Sequence, residues 1–333
     1  MEERRVAIRN RGVRIAGLSA ILVLLGTFAP APPDRPLETA PESAELYAQP
    51  LPRAARSASE GALVFLAGWD LSSRAVRFGG VSAMHVQDGQ VLALSDSGSI
   101  FHFPLPPEAG GRLPLSISRL PSGPGSGRLK SERDSEAVVV HDGRIWISFE
   151  GRNQIWRYRR EDWAVEASNR PRAMARIPSA RGVEAMARLP DGRSLLFAEG
   201  PLRDDGTTPL FLFEGDPAEE GTPVETMRYR PPEGYRATDA ALLPNGRLLL
   251  LNRDFSLTGW WRAKLTIVDA RSAEEGAVLP GREIGGFEGL PVDNMEALSV
   301  TREGDRTIVW IASDDNFNPL LQRTLLMKFA LAE

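Results

Sequence analysis

Cysteine is absent from this 333-residue chain, and its three histidines, His85, His102 and His141, are scattered. The first absence removes disulfides, thiol nucleophiles and a lipoprotein attachment residue. Together the two exclude a zinc centre of ordinary composition. An excess of positive charge is missing as well. Forty Lys and Arg stand against 44 Asp and Glu, a net charge of −4, so no basic footprint points to nucleic acid. No Gly-x-Ser-x-Gly elbow of an α/β-hydrolase is present. The glycine-rich run Pro121-Ser122-Gly123-Pro124-Gly125-Ser126-Gly127 lacks the lysine-serine step of a phosphate cradle and reads as a surface loop. Long apolar runs are scarce too. The stretch from Ile15 to Ala29 is shorter than the roughly 20 residues that a membrane helix needs.

That stretch follows Arg4, Arg5, Arg9, Arg11 and Arg14 and ends at the small-x-small step Ala29-Pro30-Ala31. Residues 1–33 therefore read as an export signal, either cleaved or retained as an anchor with its arginines on the cytoplasmic side. Residues 34–60 are rich in Pro, Ala, Ser and Glu without apolar periodicity, and read as a flexible linker. Residues 61–333 remain as one domain. The expected location is periplasmic or secreted, with the membrane touched only through an uncleaved N-terminal segment.

What the chain does have is a repeat. An acidic residue before alanine recurs at Glu136-Ala137, Glu184-Ala185, Asp239-Ala240 and Glu296-Ala297, with Ser82-Ala83 as a copy lacking the acid. The copies stand 54, 48, 55 and 57 residues apart. Each is followed by an apolar run, a turn step and a second apolar run. The turns are Asp88-Gly89, Asp142-Gly143, Asp191-Gly192, Asn245-Gly246 and Glu303-Gly304, whose residues tolerate the positive φ of tight hairpins. Runs such as Arg144-Ile145-Trp146-Ile147-Ser148-Phe149 alternate as strands do. The period predicts an all-β fold, a β-propeller of four-stranded blades. Five repeats are visible; a sixth, degenerate blade around residues 61–78 is the alternative. Third strands are expected near Ile100–Phe103, Ile155–Tyr158, Leu210–Phe213, Leu265–Val268 and Leu325–Phe329. Fourth strands are expected near 115–118, 173–176, 225–228 and 282–284. The last repeat lacks its outer strand, which Leu63–Leu66 or Ala75–Phe78 would supply, closing the ring from both termini.

Hairpin arithmetic locates a candidate site. The acid opening each first strand and the polar group closing each second strand lie at similar distances from the turn, so they meet at the end away from it. The closing groups are Asp96, Glu150, Glu199, Asn252-Arg253-Asp254 and Asp314-Asp315-Asn316. With the first strands lining a central channel, Glu136, Glu184, Asp239 and Glu296 converge at one mouth. Carboxylates so crowded need a bound cation, interleaved arginines such as Arg133, Arg181, Arg236 and Arg253, or raised pKa values. Ca²⁺ suits an irregular ring of oxygen donors. The competing reading makes each acid a latch that accepts backbone N–H groups from the neighbouring blade.

Gly79-Gly80-Val81-Ser82, Leu94-Ser95-Asp96-Ser97-Gly98, Val183-Glu184-Ala185-Met186, Asn294-Met295-Glu296-Ala297, Ser313-Asp314-Asp315-Asn316-Phe317 and Gln322-Arg323-Thr324 resemble the bacterial phytase-like, "esterase-like activity of phytase" family over about residues 61–333. The resemblance implies a secreted or periplasmic β-propeller and esterase or phosphoesterase activity. The expectation is then a metal-assisted hydrolase of a small phosphoester or carboxylic ester. Glu136, Glu184, Asp239 and Glu296 would hold a cation, Ca²⁺ by preference. Glu199 or Asp314 would act as base, and Arg253 would steady the developing negative charge. A lactonase-type propeller would use similar chemistry, and a non-catalytic binding propeller is the rival from another class.

Overall fold

The computed structural model describes residues 41–52, 59–127, 132–178, 180–200, 202–256 and 260–332. Within them the chain is all-β, interrupted only by single 3-10 turns. The N-terminal segment 1–33 lies outside the described residues.

Strands β1 (Glu42–Pro50), β2 (Ser59–Glu60) and β3 (Leu63–Ser73) come first, and five antiparallel units follow. Unit 1 is β4 (Val81–Gln87), β5 (Gln90–Ser95), β6 (Ser99–Pro104) and β7 (Gly111–Arg119). Unit 2 is β8 (Ser135–His141), β9 (Arg144–Phe149), β10 (Gln154–Arg159) and β11 (Val165–Asn169). Unit 3 is β12 (Val183–Arg188), β13 (Ser194–Ala198), β14 (Thr208–Phe213) and β15 (Val224–Arg230). Unit 4 is β16 (Arg236–Leu242), β17 (Leu248–Ser256) and β18 (Trp260–Val268). The short β19 (Val278–Pro280) then runs parallel to β15, and β20 (Arg282–Gly286) completes unit 4. Unit 5 is β21 (Asn294–Glu303), β22 (Arg306–Asp314) and β23 (Thr324–Leu331), with β3 as its outer strand.

The first strands adjoin in succession: β4 lies beside β8, β8 beside β12, β12 beside β16, β16 beside β21, and β21 beside β4 again. Apolar clusters fill each of the five gaps between neighbouring units. Every unit is thus covered on both faces, and the alternation of its strands is divided between two clusters. In β9, Ile145, Ile147 and Phe149 enter the cluster shared with unit 1, while Trp146 enters the one shared with unit 3. Asp88 and Asp142, at φ 51° and 45°, adopt the left-handed conformation that their hairpin turns require.

Two expectations need correction. The flexible linker expected over 34–60 contains β1, which pairs with β3 on one side and β7 on the other. Its Pro-Ser-Glu composition reads as linker, yet both rows of backbone groups are satisfied and Leu46 and Ala48 are buried. The fourth strand of unit 2 is β11. Residues Arg172–Arg176, where it was expected, form a 3-10 turn after Pro171, with Met174 buried between units 2 and 3. Residues near Leu63 form β3, which pairs with β23, and the expected third strands coincide with β6, β10, β14, β18 and β23.

Candidate functional site

Each first strand carries a bulge at one equivalent place. The pairing skips Ser82 in β4, Glu136 in β8, Glu184 in β12, Thr238 in β16 and Glu296 in β21. An extra residue in one strand of a pair is left out of the ladder and re-aimed. In unit 4 that residue is Thr238, so Asp239 is displaced by one position from the acids it matches in sequence. A one-residue shift turns a strand side chain to the opposite face.

The two hydroxyl residues serve the architecture. Ser82 Oγ donates to the Ser135 carbonyl at 2.5 Å, and Thr238 Oγ1 to the Met295 carbonyl at 3.1 Å, each reaching the next unit. Asp239 does likewise with opposite polarity, accepting from Leu298 N and Ala240 N at 2.7 Å each. It is buried and stands apart from the other acids. Its carboxyl is raised well above the ordinary range by burial, against the pull of those two N–H groups.

Among the described residues Glu136, Glu184 and Glu296 have no such backbone partner on the next unit, and the second-strand ends join them at the same end of the strands. The amides of Asp96, Glu150 and Glu199 donate to the carbonyls of Gly80, Asp134 and Gly182, while Arg253 lies opposite Arg236 and Asp314 opposite Asn294. The bulge therefore sets Glu150 against Asp134, two residues before the expected partner. Asp134, Glu136 and Glu150 each offer an oxygen within 4.8 Å of the others, the one such group of three found among the described residues. Asp134 was missed in the sequence because it precedes the repeat motif; its place opposite Glu150 is the signal that finds it. Glu184 adjoins the group through Glu150.

On the far side Arg253 donates to Glu296 and Asn294 and lies 3.7 Å from Glu199, which is also 3.7 Å from Arg236. Trp261 stacks on its guanidinium at 5.2 Å. Asp314 is buried, accepting from Asn316 N at 2.7 Å and facing Asn294 Nδ2 at 3.5 Å. The seven residues expected from sequence thus divide. Glu136 and Glu184 lie on the carboxylate side, Glu199, Glu296 and Asp314 around Arg253, and Asp239 elsewhere.

The charges are unevenly compensated. Burial and then Glu184 and Asp134 raise the Glu136 carboxyl well above its usual range. Burial followed by Glu150 and Glu199 does the same for Glu184. Glu150 is pushed up to about 7, by burial first and Asp134 second. Asp314 is held high by burial and by Glu296. Burial would lower Arg253, but Glu296, Glu199 and Glu184 outweigh it and keep the guanidinium charged. Arg253 thus offsets the carboxylates around it, while Glu136, Glu150 and Glu184 lie close enough to raise one another.

A model of the phytase-like family, described as esterase-like activity of phytase, matches residues 76–317. The chain belongs to the phytase-like family. The motifs that carried the resemblance in large part form clasps between and within units. Asp315 Oδ1 accepts from Gly80 N at 2.9 Å and Phe317 N at 3.0 Å, joining unit 5 to unit 1. Gly80 has φ +67°, and a Cβ there would strike Phe317 and Asp96. Asp293 accepts from Asn294 N, Arg323 N and Gln322 Nε2, tying the start of β21 to the loop before β23.

No curated protein matches the chain in sequence. Among solved structures, it is similar to the glutaminyl cyclase of Myxococcus xanthus, with 9% identity over 81% of this chain and 97% of that one and a TM-score of 0.47. The Cps50 (Swd1) β-propeller domain of Myceliophteria thermophila is another, with 12% identity over 78% and 76% and a TM-score of 0.37.

Proposed function

We propose that this phytase-like protein is a five-bladed propeller whose acidic mouth binds a divalent cation and hydrolyses an ester there. The five units with adjoining first strands would be the blades, and β1 and β3 the closure. The observation that carries the reading is the group Asp134, Glu136 and Glu150, three carboxylates that each offer an oxygen within 4.8 Å of the others. Oxygen donors around one Ca²⁺ lie about 2.3–2.6 Å from it, so a mutual spacing up to 4.8 Å suits that ion. Raised pKa values mark the charge that such a cation would balance.

A bound divalent cation supplies Lewis acidity toward the ester oxygen. The chain's own residues do the rest. Glu184, beside the group and with a raised proton affinity, would in its ionised form take a proton from the attacking water as the new C–O bond forms and return it to the leaving alcohol as the ester C–O bond breaks. Arg253 faces the negative charge that develops on the ester, kept in place by Glu296, Asn294 and Trp261. Glu199 and Asp314, the bases expected from sequence, help hold Arg253 and its surroundings. Residues 1–33 would direct export.

A panel of carboxylic esters, lactones and phosphoesters, assayed with Ca²⁺ and with chelator, tests the proposal. The expected result is hydrolysis that chelation and Glu136→Gln both remove. Turnover indifferent to chelator would overturn the cation role. Binding without turnover would move the protein to a non-catalytic propeller, a reading favoured by how many of its repeated polar residues act as clasps.

A further inference from the structure

The connections from second to third strand all leave from the mouth end, because Asp96, Glu150, Glu199, Arg253 and Asp314 close the second strands there. Three of these connections carry large apolar side chains in the open. Leu202, 41% exposed, follows Glu199 in unit 3; Trp260, 57% exposed, lies on the unit 4 hairpin; Leu320 and Leu321, 92% and 52% exposed, follow Asp314 in unit 5. Of seven exposed large apolar residues among those described, these four and Val76, in the connection from β3 to β4, stand at one end, and the other two are Val64 and Val165. Single exposed apolar residues need no explanation, but several gathered about one opening mark a contact surface.

The unit 4 hairpin reaches past the others. Strand β17 continues three residues beyond Arg253 to Ser256, pairing Phe255 with Trp261 and Ser256 with Trp260. At about 3.3 Å per residue this extends roughly 10 Å beyond Arg253. Trp261 packs against Phe255 at 4.7 Å between ring centres and against Arg253 at 5.2 Å. Trp260 has φ +55°, a conformation uncommon for a bulky residue. The aromatic pair therefore runs from the positive group at the centre outward to solvent.

Resting on the reading of the mouth as a hydrolytic site, we propose that its substrate is a carboxylic ester with an apolar acyl or aryl group, which lies on the collar formed by Leu202, Trp260, Leu320 and Leu321. Electrostatics separates this class from phosphoesters. Carboxylate oxygens of Asp134, Glu136 and Glu150 lie within 4.8 Å of one another and Glu184 adjoins Glu150, so this side of the mouth disfavours further negative charge. A polyanionic phosphoester meets repulsion there, whereas a neutral ester with an apolar tail meets none.

The test uses the full chain with Ca²⁺ and a series of p-nitrophenyl esters from acetate to octanoate, beside p-nitrophenyl phosphate. Expected is a KM that falls with acyl length, up to about fourfold per methylene, the limit for complete burial. Trp260→Ala and the double variant Leu320→Ser, Leu321→Ser should flatten that slope, with the largest rise in KM for octanoate. A wild-type slope of zero, a slope untouched by both variants, or a preference for the phosphate ester would overturn the inference while leaving hydrolysis intact. Where no ester is cleaved, quenching of tryptophan fluorescence by N-octyl benzamide, lost in Trp260→Ala, supports the collar and removes the hydrolytic reading. Sedimentation with phosphatidylglycerol vesicles, abolished by the leucine variants without any effect of acyl length, would make the collar a lipid contact and overturn the substrate assignment.

Discussion

Asp239 receives two backbone N–H groups at 2.7 Å, whereas Glu136 has carboxylates for neighbours. The two residues occupy similar places in the sequence repeat, and their substitution separates an architectural acid from a binding one. Asp239→Ala leaves two buried donors without an acceptor, each worth about 1–3 kcal/mol. The melting temperature should fall equally in Ca²⁺ and in chelator; a loss confined to Ca²⁺ would return Asp239 to the ligand set. Glu136→Gln removes one of several repelling charges, so the chelated protein should melt at the same temperature or higher. What it should lose is stabilisation by Ca²⁺, about 2.7 kcal/mol at a hundredfold excess over the dissociation constant. Calorimetry of wild type and variant, with and without Ca²⁺, reads both effects.

Strand β1 is the element whose removal tells most. It lies between β7 of unit 1 and β3 of unit 5, so their outer edges are bridged through nine residues, Glu42–Pro50. Deleting residues 1–50 would uncover two strand edges and the pocket that buries Leu46. Full burial of a leucine side chain contributes about 1.5–3 kcal/mol, and uncovered edges invite association. The expected outcome is a melting temperature lower by several degrees with concentration-dependent light scattering. Deleting residues 1–40 leaves β1 in place and should change neither. Equal behaviour of the two truncations would show that the pairing of β1 with β3 and β7 contributes nothing to stability.

For the molecule as a whole, the crowded mouth predicts how stability varies with pH. Glu150, at about 7, is raised above its unfolded value, and burial is the first cause. Glu136 and Glu184 are raised in the same direction. A raised carboxyl binds its proton more tightly in the folded state. Its contribution is therefore full below the unfolded pKa and is lost as pH rises through the folded one. Between pH 5 and pH 8 the chelated protein should lose stability, by roughly 5 °C in melting temperature. Saturating Ca²⁺ should abolish or reverse that slope, because the bound cation favours the ionised carboxylates. A flat profile in chelator would mean that the mouth is better compensated than its geometry indicates.

The all-β character and the repeat were readable from local chemistry, and so was the nearness of Glu136 and Glu184 to the second-strand ends, whereas Asp239, expected with them, lies elsewhere. Alternation marks strands, Asp-Gly and Asn-Gly mark hairpins, and equal distances from a turn bring residues together whatever the surroundings. The phytase-like motifs were legible for the same reason, being contiguous in the chain. Composition misled at β1, because strand pairing on both sides satisfies a segment whose side chains suggest a linker. The bulge was invisible, since skipping one residue leaves no mark in a periodic pattern. That skip decided that Thr238 and not Asp239 takes the equivalent place, that Glu150 meets Asp134, and which acids are left facing one another. Strand register depends on hydrogen bonds between distant segments, and only the folded chain brings those segments together.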